Sequence, residues 1–120
     1  MKRTGPSDPS LQRLIAELKQ TAHAQEAPLW GRVAFDLEKP TRQRRAVNVY
    51  HIERFARDGE IVLVPGKVLG TGTLNRKVTV AAFTFSQQAA EKIAKTGGKA
   101  LAIDDLLREN PKGKNVRVLG

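Results

Sequence analysis

The sequence predicts a mixed α/β fold in which a helical part, residues 9–59, precedes a mixed part, residues 60–120. Two observations carry this prediction. Up to residue 56, apolar residues recur every three or four positions, which is the spacing of one helix face. From residue 60 onward, they fall in short β-branched runs bounded by glycine, proline and asparagine, as strands do. A length of 120 residues with 40% hydrophobic residues suits a single domain at residues 9–120.

Two helices are predicted to open this domain. The first begins around Pro9 and Ser10, with Ser10 as its N-cap, and runs to about Gln25. The second begins at Pro28 and ends before Pro40, because a proline disfavours helical backbone in the residue before it. The preceding residues 1–8 are basic and poor in apolar groups, so we expect a mobile N-terminus there.

A third helix is predicted after a basic linker. The linker, KPTRQRRAVN, contains four cations and no acid, and Asn48 at its end is placed to cap the helix. The helix is expected to end near Gly59 and to face the core with Val49, Ile52, Phe55 and Ala56. The arginines of the linker either reach phosphates that the helices cannot, or lie in a solvated loop without a partner.

From Glu60 onward the pattern predicts short strands alternating with helices. Residues 61–64 form a strand, Pro65 and Gly66 a turn, and residues 67–69 a short extended piece. The remaining predicted elements are a strand at 77–85, a helix capped by Ser86 and stopped by Gly97 and Gly98, a strand at 100–102, a helix at 104–109, a turn at NPKGKN and a strand at 116–119.

The charge of the chain indicates a polyanion as its partner. Lys and Arg number 21 against 12 Asp and Glu, which gives a net charge of +9 and a pI near 10.4. Nucleic acid is therefore the leading partner class, ahead of a merely soluble basic protein. Aromatic residues make up only 5%, which argues against a platform that stacks single-stranded bases. The absence of cysteine excludes disulfides and thiolate metal sites.

The glycines of residues 61–86 do not fit a nucleotide-binding enzyme. A phosphate-binding loop needs a glycine five positions before its Gly-Lys pair and a hydroxyl after it. Here the glycine before Gly66 is Gly59, seven positions upstream, and Val68 follows Lys67. A dinucleotide-binding turn fails as well, because Asn75 stands where a third glycine would follow Gly70 and Gly72, and a strand comes next.

Other catalytic arrangements are equally weak. His23 and His51 lie on predicted helices without a second histidine or a cysteine at ligand spacing, so neither predicts a metal site. Asp104 and Asp105 occupy the first turn of a helix, where they favour its dipole. Trp30 on an apolar helix face is expected in the core or as a contact anchor. No apolar run approaches the about 20 residues that cross a bilayer, and a cytoplasmic location is expected.

Several blocks of the chain resemble one known family. VNVYHIERFARDGEIVLVPGKVLGTGTL, then KVTVAAFTFSQQAAEKI, a GG pair and a closing NPKGKNVRVLG are similar to large-subunit ribosomal protein eighteen of archaea and eukaryotes. This e-class family is related to bacterial ribosomal protein fifteen. The resemblance extends through SDPSLQRLIAELKQ and LWGRVAFDLEKPTRQRRAVN and so covers nearly the whole chain. Asp8 precedes Pro9 where the family pattern has asparagine, and the long basic extensions of eukaryotic members are absent, so the archaeal form is expected.

The resemblance implies a structural protein of the large ribosomal subunit, without catalysis, cofactor or metal. It implies an N-terminal helical segment joined to an irregular β-β-α superhelical domain, as in bacterial protein fifteen. Large-subunit ribosomal RNA and neighbouring ribosomal proteins are its implied partners, with no membrane and no small-molecule substrate, in the cytoplasmic ribosome. A basic RNA- or DNA-binding module outside the ribosome is the alternative, and an enzyme with a basic site for an acidic substrate comes third.

The candidate RNA-binding residues are cations of exposed segments together with three glycines. In the light of the resemblance, these glycines would permit tight turns or let the main chain approach a phosphate backbone. Both interpretations of Gly70 and Gly72, a required turn or an RNA contact, stay open at this point. The candidates are Lys2, Arg3, Lys39, Arg42, Arg44, Arg45, Gly66, Lys67, Gly70, Gly72, Arg76, Lys77, Lys112 and Lys114.

Overall fold

The structure is a computed structural model that describes residues 9–38, 46–57 and 60–119. Within these ranges the chain forms five helices and five strands, and the predicted mixed α/β class is confirmed. In chain order they are α1 Pro9–Ala24, α2 Pro28–Leu37, β1 Ala46–Asn48, α3 Val49–Phe55, β2 Ile61–Leu69, β3 Thr79–Phe85, α4 Gln87–Lys95, β4 Lys99–Ala102, α5 Ile103–Glu109 and β5 Val116–Val118.

The strands form one parallel sheet around β2. Its order is β1-β2-β3-β4, and β5 also pairs with β2. β5 pairs with Ile61–Leu63 and β1 with Lys67–Leu69, so these two short strands lie end to end along the same edge of β2. Residues 70–78 connect β2 to β3 without a helix, and α4 follows β3. This succession of two strands and a helix is the β-β-α arrangement that the resemblance implied.

The sheet is the middle of three layers, with a core on each face. Leu63 of β2 and Ala81 of β3 pack with the buried residues of α1, α2 and α5. Val62 and Val64 turn the other way and pack with α3 and α4. Because strands buried on both faces need apolar residues at consecutive positions, β2 has a continuous apolar run where a half-exposed strand would alternate.

The predicted turn at Pro65 and Gly66 is wrong, because both residues lie inside β2. Between Val64 and Lys67 the chain advances three residues, whereas its partner β3 advances two, from Ala82 to Thr84. The extra residue makes a β-bulge, which leaves a ladder position unpaired. A proline is tolerated at such a position because it has no N–H to donate. The turn signal therefore marks an irregularity in a strand that long-range pairing holds together.

Three further expectations differ from the structure. β1 was predicted as part of the linker, but it is a strand that pairs with the end of β2. Ser10 lies inside α1, which begins at Pro9, so its predicted role as N-cap is wrong. Phe55 was predicted to face the core, but it is 49% exposed. Phe55 is the last residue of α3, and the backbone becomes extended at Ala56, whose side chain is buried while the Phe55 ring stays at the exposed end of the helix.

The other two capping predictions have different outcomes. Asn48 does occupy the N-cap position of α3, and His51 Nδ1 accepts its backbone N–H at 3.2 Å, but the Asn48 side chain makes no capping hydrogen bond. Ser86 caps α4 by accepting the Ala89 N–H at 3.1 Å. The predicted mobile residues 1–8 and the Gly59 stop of α3 lie outside the described residues. In the described ranges every helix is too short or too polar to cross a lipid bilayer.

An ion pair joins β5 to the segment before β2. Arg117 Nε donates to Glu60 Oε1 at 2.9 Å, and the backbone N–H of Arg57 donates to the same oxygen at 2.8 Å. The hydrogen bond from Arg117, followed by that from Arg57, lowers the pKa of Glu60 below its ordinary value of 4.5.

Glu60→Gln is expected to lower the melting temperature at neutral pH, and the difference from the parent should narrow as the pH falls below 4.5. A carboxyl group with a lowered folded pKa contributes stability above its unfolded pKa and loses it as protonation proceeds. Melting temperatures of both proteins from pH 7 to pH 3 check this, with Glu91→Gln, an exposed glutamate of α4, as control. A difference in melting temperature between Glu60→Gln and the parent that stays constant with pH would contradict the prediction.

Candidate nucleic-acid interface

The glycine loop, defined as residues 70–78, crosses from the carboxyl end of β2 to the start of β3. Gly72 has φ of +101°, and a Cβ there would lie 2.5 Å from Tyr50 Cβ and 3.2 Å from Tyr50 Cα. A Cβ at Gly70 would lie 2.7 Å from Gln88 Cβ. The lack of a side chain is therefore required by the packing of the chain itself. This favours the turn interpretation of the two glycines, while contact of the loop with RNA stays a prediction.

Lys92 of α4 holds the glycine loop closed. Its ammonium nitrogen lies 2.5 Å from the carbonyl oxygens of both Gly70 and Gly72. An ammonium group donates up to three hydrogen bonds, and these carbonyls take two of them. Lys92 was not among the candidate residues, because nothing in the sequence of α4 distinguishes it from Lys95, the other lysine of that helix.

Glu53 of α3 fixes the second half of the same loop. Its Oε1 accepts the N–H groups of Asn75 at 3.0 Å and Arg76 at 3.2 Å. Arg76 Nε in turn donates to the Glu53 carbonyl at 3.1 Å. Arg76 is among the candidate RNA-binding residues predicted from the sequence. Because these bonds hold the loop in position, we expect a substitution of Arg76 to lower the stability of the protein in addition to its RNA affinity.

The lysine turn, defined as residues 110–115, is held by its own hydrogen bonds. Asn110 Nδ2 donates to the Lys114 carbonyl at 2.8 Å, and Asn110 Oδ1 accepts the Lys114 N–H at 3.2 Å. Gly113 and Asn115 both have positive φ, 70° and 60°. Trp30 Nε1 then donates to the Pro111 carbonyl at 2.7 Å and fastens the turn to α2. The side chains of Lys112 and Lys114 are exposed on this rigid turn.

Apart from Arg76, the predicted residues that the structure describes fall into two groups at opposite ends of the sheet. Gly66, Lys67, Gly70 and Gly72 lie toward the carboxyl end of β2, whereas Lys77 precedes β3 and the lysine turn precedes β5. Lys67 pairs with Thr84, five residues along β3 from Thr79, which corresponds to about 16 Å of strand. We call the second group, Lys77, Lys112 and Lys114, the amino-edge lysines.

A fourth lysine lies among the amino-edge lysines. Lys99 begins β4 beside Thr79 and, with Lys114, lines an open depression of about 390 Å³. Glu109 lines the same depression. Lys99 was not predicted, since only the pairing of β4 with β3 brings it to this edge. Within the described ranges, no three His, Asp or Glu side chains gather as a metal site would require.

The remaining candidates belong to the basic linker and to the N-terminus. Lys2, Arg3, Lys39, Arg42, Arg44 and Arg45 all lie outside the described residues. Their contact with RNA therefore stays a prediction from the sequence.

Comparison with known proteins decides the family. Residues 2–120 match the family described as ribosomal protein 60S L18 and 50S L18e. The chain belongs to this family. The resemblance inferred from the sequence is thereby confirmed.

Curated relatives from the L18e family match over nearly their whole length. The large ribosomal subunit protein eL18 of Methanococcus maripaludis is 45% identical over 119 residues, 99% of each chain. That of Archaeoglobus fulgidus is 48% identical over 113 residues, 94% of this chain and 97% of the relative. That of Methanospirillum hungatei is 44% identical over 118 residues, 98% of each. All three relatives are archaeal, which agrees with the archaeal form expected for this chain.

Proposed function

We propose that this L18e family member contacts ribosomal RNA through the amino-edge lysines and through Lys67 at the opposite end of the sheet. Membership of the family makes the chain a structural, non-catalytic constituent of the large ribosomal subunit. Its partners are ribosomal RNA and neighbouring ribosomal proteins, and it acts in the cytoplasmic ribosome. A nucleic-acid-binding module outside the ribosome is not favoured by this membership.

The lysine turn is the observation that carries the assignment of the contact surface. Two exposed ammonium groups extend from a backbone fixed by the Asn110 bonds and by Trp30. Because the turn is already ordered, little conformational entropy is lost when it binds. Lys112 and Lys114 make no ion pair with a described carboxylate, so their charge is available to phosphates.

Lys112→Ala/Lys114→Ala is expected to leave the melting temperature nearly unchanged and to weaken binding to large-subunit RNA. The slope of log affinity against log salt should become shallower by about 1.4 to 1.8, since each lost phosphate contact removes about 0.7 to 0.9. Filter binding to protein-free large-subunit RNA measures the slope. The salt concentration is varied between roughly 50 and 200 mM, where phosphate contacts change the affinity strongly.

The matched control for this pair is Lys19→Ala/Arg108→Ala, which removes the same charge. Lys19 pairs with Glu38 at 3.0 Å, and Arg108 lies within 3.8 Å of Asp104 and 3.7 Å of Asp105. These cations already face carboxylates of the chain, so their loss should change the slope less. Equal slopes for the two double variants would show that net charge, and not the lysine turn, governs binding.

Sedimentation tests the function itself. In a sucrose gradient of cell extract, the chain should follow the large subunit, whereas a module that acts outside the ribosome stays near the top.

We further propose that residues 9–120 fold as one domain, supported by the core that α1 and α2 share with Leu63 and Ala81 of the sheet. Arg42, Arg44 and Arg45 of the linker remain part of the proposed RNA surface on the strength of their charge.

A further inference from the structure

The outer side of α3 carries planar side chains that the core does not use. We define the α3 aromatic face as Tyr50, His51, Arg54 and Phe55. Tyr50 and Phe55 are 45% and 49% exposed. The rings of Tyr50 and His51 lie 4.1 Å apart, centroid to centroid, and the Arg54 guanidinium carbon lies 5.5 Å from the Phe55 ring centroid. Residues four apart share one side of a helix, so the four side chains form a continuous surface.

The core does not use the rings of Tyr50 and Phe55, whereas the His51 imidazole also accepts the Asn48 N–H at the start of α3. Val49 and Ile52 turn to the core from the opposite side of α3. The acid of this helix, Glu53, accepts N–H groups of the glycine loop, so the α3 aromatic face itself has no carboxylate. The two aromatic rings and the Arg54 guanidinium are therefore exposed to a partner, and the half-buried His51 imidazole lies against the Tyr50 ring.

We infer that the α3 aromatic face stacks an unpaired nucleobase of ribosomal RNA, an inference that rests on the proposed function. All four groups are planar, and such groups are those on which splayed-out bases stack. Arg54 adds a positive charge, which favours nucleic acid over a neutral apolar protein surface, and the planar groups beside it favour stacking on a base. The low aromatic content of the chain does not oppose this, because three of its six aromatic residues, Phe35, Tyr50 and Phe55, are exposed.

The glycine loop fixes one end of this face. The Tyr50 N–H donates to the Thr71 carbonyl at 3.3 Å, and the Gly72 backbone packs against the Tyr50 Cα and Cβ atoms. A stacking group held in this way loses little freedom on binding. The loop thus contributes to recognition by positioning Tyr50, without itself touching the base.

Tyr50→Leu/Phe55→Leu removes the planar rings but keeps apolar side chains and the Cβ that Gly72 contacts. The expected result is about tenfold weaker binding to protein-free large-subunit RNA, with the salt slope unchanged, because stacking releases no counterions. Phe35→Leu is the matched control, since Phe35 of α2 is 64% exposed and lies outside the face. Thermal unfolding of each variant checks that it is folded.

Ultraviolet cross-linking of the unaltered chain in purified large subunits gives a second measurement that needs no variant. A nucleotide adduct on the peptide with Tyr50, the single tyrosine of the chain, is expected. Affinity within twofold of the parent and no adduct would overturn the inference, as would a cross-link from this peptide to a neighbouring protein. If the parent neither binds the RNA nor sediments with the subunit, the proposed function fails and the inference with it.

Discussion

Gly72→Val is expected to lower the free energy of unfolding by about 2–3 kcal/mol. Two causes act together at this position. The backbone φ of +101° is one that a β-branched residue rarely adopts. The new side chain would also meet Tyr50, with its Cβ only 2.5 Å from Tyr50 Cβ and 3.2 Å from the backbone Cα atom. Urea unfolding of the isolated protein measures the loss.

Gly97→Val separates the two causes. Gly97 also has positive φ, +85°, but the atoms nearest to a Cβ at this position would be those of the Lys77 side chain, at 3.9 Å. This variant should therefore show the backbone cost alone, about 1 kcal/mol or somewhat more. If Gly72→Val and Gly97→Val lose the same stability, or if Gly72→Val matches the parent, the contact with Tyr50 does not constrain the loop.

Trp30→Ala is expected to lower the free energy of unfolding by about 3–5 kcal/mol, a large part of the total for a domain of this size. Trp30 is fully buried in the core that joins α1, α2 and α5 to the sheet. Its removal leaves a cavity and also takes the indole donor from the Pro111 carbonyl. Urea unfolding measures this loss, and a variant as stable as the parent would contradict the assignment of Trp30 to the core.

Trp30→Phe tests the link between the core and the RNA surface. Phenylalanine keeps most of the apolar ring but cannot donate to Pro111, and leaving that acceptor without its partner costs about 1–3 kcal/mol. The lysine turn should then exchange its Gly113 and Lys114 amide protons faster, and RNA affinity should fall although no cation is lost. Leu37→Ala, a fully buried change on the same helix, is the control. Equal RNA affinity for the parent and Trp30→Phe would show that the turn needs no anchor.

The sequence predicts the elements that depend on local signals and misses those that depend on distant partners. α2 and α4 follow from proline, serine and apolar spacing, which act within a few residues. β1 has only three residues and becomes a strand because Lys67–Leu69 lie beside it. Pro65 and Gly66 carry a strong turn signal, but the pairing of β2 with β3 on both sides of them keeps the strand continuous.

For the candidate site, too, local signals predict some residues, and the positions of the others depend on distant partners. Charge identifies Lys112 and Lys114 as exposed cations without knowledge of the fold. The parallel register determines that Lys77 and Lys99 lie near the same edge and Lys67 at the other, and no local pattern contains that register. Lys92 was missed because its carbonyl partners are 20 and 22 residues away.

The position of β5 beside β2 has a consequence for the order in which the chain is synthesised. Until residues 116–118 have been made, the backbone of Ile61–Leu63 has an unpaired edge, and an open strand edge can pair with another chain. The lysine turn immediately precedes β5, so the step that closes this edge also fixes Lys112 and Lys114 in place. A nascent chain in which this edge of β2 is still unpaired would therefore be prone to aggregation, and its lysine turn would not yet be positioned to bind RNA. The pairing of β5 with β2 removes both conditions in one late folding step.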